Sequence, residues 1–373
     1  MKNLIIIFIL FTTTLFGREF SERQNRGTIE YTKLDENSGM VVGIENPDII
    51  WAINDGSANE IYGFGKNGKS KTILNFKKSL LQDNSDVEDI GIIILNNTVY
   101  LVLSDIGDND GNRSSCFLYF VPEPKSTFLS REVEIKSNDI LIIEFQYEDG
   151  PRDAECFFVD PDGNNLLVVT KREKNARLYN VPLNFNGQSM IAEFILDFPF
   201  GNNSDEGYTG VTAGDISKDG NKILIKDYNN LWYFERLDKE HLTNTFSRDP
   251  VRIDTYIYSL NDEPQGEAIC WDNDNHGFFT ASEEKIISGF DASLFYFEEV
   301  KSSVKKKVTD ISLIGNLLYN NSVVRIKLEL YNYIGQKIYS TSLEPFNSFD
   351  ISPYSNQAHY LLLDNYKSII KLR

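Results

Sequence analysis

The chain has 373 residues, and 55 Asp and Glu against 37 Lys and Arg leave a net charge of −18. That balance excludes ordinary duplex binding, which needs clustered Lys and Arg facing phosphate. A hydrophobic content of 41% with only 11 Pro argues against disorder and gives enough apolar surface for a large core or two domains.

The chain opens with Lys2 and an apolar run from Leu4 to Phe11, ending at a small Gly17 before Arg18 and Glu19. A positive start, a short apolar stretch and a small residue predict a cleavable signal peptide over 1–17. The run is too short for a membrane anchor. The mature protein is therefore expected outside the cytoplasm, secreted or at the cell surface, with no integral membrane segment.

Five short segments then align: Ser38-Gly-Met-Val-Val, Glu88-Asp-Ile-Gly-Ile, Glu155-Cys-Phe-Phe-Val, Thr212-Ala-Gly-Asp-Ile and Glu267-Ala-Ile-Cys-Trp. Their starts lie 50, 67, 57 and 55 residues apart, a spacing typical of repeat architectures. Each is followed by a turn rich in Asx and Gly, such as Asp162-Gly-Asn, Asp219-Gly-Asn and Asp274-Asn-His-Gly. Such residues supply the positive φ and side-chain hydrogen bonds of hairpins. A second apolar strand follows, then an aromatic third strand such as Phe117-Leu-Tyr-Phe or Leu231-Trp-Tyr-Phe, and in most copies a fourth. The fifth copy stops after its third strand, and Thr28 to Leu34, which alternates, can supply the missing one.

Four antiparallel strands repeated radially, with an N-terminal strand closing the last sheet, predict an all-β fold, a β-propeller over 18–300. The count gives five blades, with a sixth hidden in the 67-residue interval as the rival. Cys116, Cys156 and Cys270 sit in apolar runs at no metal-ligand spacing and read as buried thiols.

Composition changes at Lys301. From there to Arg373 ten Lys or Arg outnumber five Asp or Glu, so 301–307 reads as a linker. Over Val324 to Leu330 apolar and charged residues alternate, which predicts a half-buried antiparallel strand. Turns at Gly335 and Asp364-Asn365 complete a small C-terminal β-sandwich over 308–373.

No G-x-S-x-G elbow, Walker loop or zinc-spaced His pair occurs. What remains is carboxylate. Glu88, Glu155 and Glu267 hold the first position of the aligned repeat, with hydroxyls at Ser38 and Thr212. If these are the innermost strands, the three carboxylates meet at one mouth of the central channel. They repel unless a cation, a basic side chain or a proton intervenes. A ring of hard oxygen donors suits Ca²⁺, with Asp89, Asp153 and Asp215 near enough in sequence to complete its shell. The alternative is that each Glu caps backbone N–H groups. Arg152, Lys171, Arg172 and Lys226 fall close by and either bind a small anionic ligand or neutralise the ring. Asp105 to Gly111 reads as an Asx-rich turn.

The stretches Val87-Glu-Asp-Ile90, Asp105-Ile-Gly-Asp-Asn109, Asp149-Gly-Pro-Arg-Asp-Ala-Glu155 and Pro264-Gln-Gly-Glu-Ala-Ile269 resemble a widespread group of secreted bacterial propeller proteins with no settled activity. The resemblance implies a fold and a common site more than a reaction. The tail, with its Tyr-Ile-Gly-Gln-Lys-Ile-Tyr turn, Phe349-Asp-Ile-Ser strand and closing Ile-Ile-Lys-Leu-Arg373, resembles the C-terminal sorting domain of the type IX secretion system of Bacteroidetes. That likeness implies engagement of the secretion machinery and export across the outer membrane. Two functional expectations follow. One is a metal-dependent hydrolase of phosphate or other esters, distantly like the calcium-dependent apyrase propellers by fold alone. The other is a non-catalytic extracellular module for a glycan, peptide or cell-surface partner.

Overall fold

The computed structural model describes residues 19–300 apart from 57–58, 162–164, 203–209, 238–239, 257–258, 260 and 285–290. Beyond 310 it describes 311–314, 317–320, 325–332, 336–344, 347–354, 360–363 and 368–371. The signal peptide, the 301–307 linker, the Asp162 turn, and the turns at Gly335 and Asp364-Asn365 lie outside the described residues. The chain divides into two compact units, Met1–Val300 and Lys301–Arg373. Among the described residues no helix is long and apolar enough to cross a membrane.

In the first unit the strands form antiparallel meanders, each beginning with an apolar strand buried on both faces. These inner strands are Asn37–Val42, Val87–Leu95, Ala154–Val159, Val211–Ile216 and Gly266–Trp271. Each packs against the next, and the last packs against the first, so the sheets close into a ring: the fold is a β-propeller. Hairpin geometry follows from the turn residues. Asn96 and Asn97 take φ of 47° and 65° between Val87–Leu95 and Thr98–Asp105, the left-handed pair that a two-residue hairpin needs.

The core lies between neighbouring sheets, in clusters such as Trp51, Ile61, Leu74 and Leu103 or Phe158, Phe198, Phe234 and Phe246. One polar rivet crosses such a boundary. The buried Glu123 carboxylate accepts the backbone N–H groups of Ile44, Glu45 and Asn46, the Asn46 amide and the Trp51 indole at 2.9–3.1 Å. All three cysteines are buried and free.

One expectation on strands is corrected. The last sheet is closed by Gln24–Thr28, which pairs with Ser293–Val300, and by Glu19–Phe20 on the same strand. The alternation over 28–34 reflects Ile29 and Leu34 dipping into the core from a loop. The long second interval is taken up by 123–140, whose three-residue strand Glu132–Glu134 runs parallel to Ser70–Asn75, the outer strand of the first meander.

The second unit contains a three-stranded sheet, Ile311–Ile314, Leu317–Asn320 and Ser348–Asp350, and a four-stranded sheet. In the latter, Ile326–Tyr331 lies between Lys337–Leu343 and Tyr360–Leu363, with Ser368–Lys371 outermost. Leu318, Leu328, Leu330 and Leu343 make its buried core.

Candidate functional site at the channel mouth

The five inner strands share one irregularity. Their pairing register shifts between Asn37 and Gly39, Val87 and Asp89, Ala154 and Cys156, Val211 and Ala213, and Gly266 and Ala268. The extra residue in each case is the first residue of the aligned repeat: Ser38, Glu88, Glu155, Thr212 and Glu267. A bulge takes its extra residue out of the ladder and re-aims the side chain. All five are buried. Burial raises the proton affinity of Glu88, and the like charges of Glu155, Asp55, Asp86 and Glu267 raise it further. Burial also raises Glu155, with Lys171 opposing and Glu267 adding to the shift. The structure therefore brings the three repeat carboxylates within electrostatic reach of one another.

A second tier comes from the residues that follow the neighbouring strands of the same hairpins, at Asp55, Lys171, Tyr228 and Glu283. Lys171 pairs with Glu155 and donates to the Tyr228 hydroxyl at 3.1 Å, and that hydroxyl donates to Glu267 at 2.5 Å. Glu283, pushed up to about 10 by burial and by Glu267, shares a hydrogen bond with that carboxylate. Asp55, Asp86 and Glu88 each present an oxygen within 4.8 Å of the others. Burial and the Asp86 charge push Asp55 up to about 7. Gly107 backs this trio. A Cβ there would stand 2.3 Å from Glu88 Oε1 and 2.5 Å from Asp86 Oδ2, so any larger residue would push these carboxylates from their places. The loop itself is an Asx turn: Asp108 accepts the N–H groups of Asn112 and Arg113, while Arg113 pairs with Asp105 at 2.7 Å.

Four of the five bulge residues hold a polar group that the protein leaves without a hydrogen bond. Ser38 Oγ, Thr212 Oγ1 and Glu155 Oε2 are buried with no hydrogen-bond partner among the described residues. Glu88, only 3% exposed, makes no hydrogen bond or ion pair among them. Most buried polar groups are satisfied, so such atoms at one mouth need a water or an ion as partner.

The remaining predicted residues serve other ends. Asp89 Oδ1 accepts from Ile90 N at 2.8 Å and Oδ2 from Phe157 N at 2.9 Å. Asp215 does the same for Ile216 at 2.8 Å and Trp271 at 2.7 Å. Both tie one inner strand to another where no ladder partner exists, so they act as the backbone caps that were the alternative reading of the repeat Glu residues. Asp153 accepts from Asp108 N at 2.8 Å and pairs with Arg172. Arg152 is held by Asp149 at 2.8 Å and Glu173 at 3.2 Å. Lys226 is fully buried, donating to the carbonyls of Asp227 and Gly266, and burial lowers its proton affinity. Of the four predicted cations, Lys171 is bound to a repeat carboxylate, Glu155.

The sequence reading passed over Asp55, Asp86, Tyr228 and Glu283. A signal existed: Asp55, Lys171, Tyr228 and Glu283 occupy the same place in four repeats, and Lys171 was already singled out.

No family model and no curated protein matches the chain. Among solved structures, the β-propeller domain of Myceliophteria thermophila Cps50 (Swd1) is similar over 71% of this chain and 83% of that chain, at 9% identity and a TM-score of 0.37.

Proposed function

We propose that the protein is an exported, five-bladed propeller whose channel mouth binds Ca²⁺ and hydrolyses phosphate or other esters there. The observation that carries this reading is the set of buried oxygens at Ser38, Glu155 and Thr212 that have no hydrogen-bond partner among the described residues, beside the buried residue Glu88, which makes no hydrogen bond or ion pair among them. Carboxylate and hydroxyl oxygens in a loose ring match what Ca²⁺ accepts. Glu88, Asp55 and Asp86 would hold the ion. Glu155 has its own counter-charge in Lys171 and would contribute through its free oxygen. When bound, the ion supplies Lewis acidity toward a phosphoryl or carbonyl oxygen and lowers the pKa of a coordinated water. The Glu267–Glu283 pair, joined by a hydrogen bond and flanked by Tyr228, offers a place to store a proton.

A second reading has one observation in its favour. Arg152, Lys171 and Arg172 are each engaged by carboxylates, so an anionic substrate meets no free arginine or lysine from this set. That suits a Ca²⁺-dependent binding module for a glycan, peptide or cell-surface partner. The two packed sheets of the C-terminal unit fit a small sandwich, which we read as the sorting domain for export.

Metal analysis of the purified protein, followed by a panel of phosphate and aryl esters assayed with Ca²⁺ and with chelator, tests these readings together. Stoichiometric Ca²⁺ with Ca²⁺-dependent turnover that Glu88→Gln abolishes supports the hydrolase. Stoichiometric Ca²⁺ without turnover leaves the binding module. Failure to bind Ca²⁺ overturns both.

A further inference from the structure

We infer that the outer edge of the first meander is a docking surface for anionic lipid headgroups, which would hold the protein at a membrane surface without spanning it. The charge there runs against the rest of the chain. Residues 69–82 and 124–140 carry seven Lys and Arg against three Asp and Glu, in a chain whose net charge is −18. The fold brings the two stretches together. Ser70–Asn75 pairs in parallel with Glu132–Glu134, the Ile73 N–H donates to the Arg131 carbonyl at 3.0 Å, and the Thr72 hydroxyl donates to the Ser130 carbonyl at 2.6 Å.

Six of the seven cations, Lys71, Lys77, Lys78, Lys125, Arg131 and Lys136, are exposed and make no ion pair among the described residues. Two acids on neighbouring segments already have partners, Glu30 in Lys69 at 3.0 Å and Glu60 in Lys33 at 3.7 Å. The edge therefore keeps a net positive charge against Glu132, Glu134 and Asp139. At physiological salt charges are screened beyond about 8 Å, so the acidic surface elsewhere does not cancel it.

Cations alone would take any polyanion, and Phe128 makes the distinction. It is 73% exposed, the most exposed large hydrophobic side chain among the described residues. Its turn is closed by the Phe128 N–H donating to the Lys125 carbonyl at 2.8 Å, and the next residue, Leu129, packs against the core cluster of Trp51 and Leu81. The ring is thus held in water by an anchored turn, with Lys125 and Arg131 flanking it in sequence. An exposed aromatic beside cations suits burial at the acyl boundary while the charges stay at the headgroups. An anionic polysaccharide offers that ring no apolar layer to enter.

The test is cosedimentation of the full-length mature protein with vesicles of phosphatidylcholine, alone or with an equal part of phosphatidylglycerol, at low and high salt. Binding to the anionic vesicles that high salt reverses is expected, with none to phosphatidylcholine alone. Lys125→Gln and Arg131→Gln should each weaken it roughly fivefold, and Phe128→Ser at least about fivefold. Leu237→Ser, which removes a 62% exposed apolar side chain from another meander, should change nothing. The inference is overturned if the wild type ignores anionic vesicles, if Phe128→Ser binds them as well as the wild type, or if Leu237→Ser costs as much as Phe128→Ser. Dextran sulfate bound as tightly as the vesicles, with no loss in Phe128→Ser, would mark a polysaccharide partner and overturn it too. So would binding that chelator abolishes, which would place the contact at the acidic mouth.

Discussion

Asp55 shows how a residue with no place in any motif comes to matter at the mouth. It follows the second strand of its hairpin, and there burial and Asp86 raise its pKa to about 7 from the ordinary 3.8. A carboxyl whose folded pKa is raised lends stability that is complete below its unfolded pKa and is lost as pH climbs through the folded one. The metal-free protein should therefore lose stability between about pH 4 and 7, and Asp55→Asn should flatten that part of the profile. Chelated samples melted across the range check it; a wild type and mutant with parallel profiles would show that Asp55 is already ionised at pH 5. The three repeat Glu residues were legible in the sequence because repetition marks them. Asp89 and Asp215 carried the same chemistry in the sequence, yet their oxygens are consumed by Phe157 and Trp271 N–H groups. Which backbone groups lack a ladder partner is decided only when the ring closes, and no local pattern announces it.

At the scale of the element, the repeat was readable and the bulge inside it was not. Alternation makes Ser38, Glu88, Glu155, Thr212 and Glu267 look like ordinary strand starts, whereas the extra residue in the ladder is what turns them out of it. The closing strand was misplaced for a related reason. Gln24–Thr28 lies at the sheet edge, half-buried to exposed, so it needs backbone pairing and no apolar pattern. Its anchor is Phe20, 3% exposed, whose ring sits 5.0 Å from Phe278, 6.1 Å from Trp271 and 6.3 Å from Tyr233. Phe20→Ala should cost about 3–5 kcal/mol, as large-to-small changes in aromatic cores do. Urea unfolding of the mature protein measures it; a loss under 1 kcal/mol would mean that the N-terminal strand contributes little to closing the ring.

For the whole molecule, the chain divides into two compact units, with the proposed site in the first and the proposed export address in the second. A chain ending at Val300 should fold alone, melt cooperatively, keep any response to Ca²⁺, and remain in the periplasm of the producing cell. Aggregation of that fragment would show that the propeller needs the tail, and normal export would remove the sorting role.

The central claim is that the mouth is built around a cation, and thermal melts of wild type and Glu88→Gln, each in chelator and in millimolar Ca²⁺, test it most directly. Glu88 is buried among like charges and makes no hydrogen bond or ion pair among the described residues. In chelator the Gln variant should therefore melt at or above the wild-type temperature. Saturating Ca²⁺ should raise the wild type by several degrees, since ligand at a hundred times Kd adds about 2.7 kcal/mol to the native state. The variant should lose most of that gain. Equal shifts in both proteins, or no shift in either, would contradict the account.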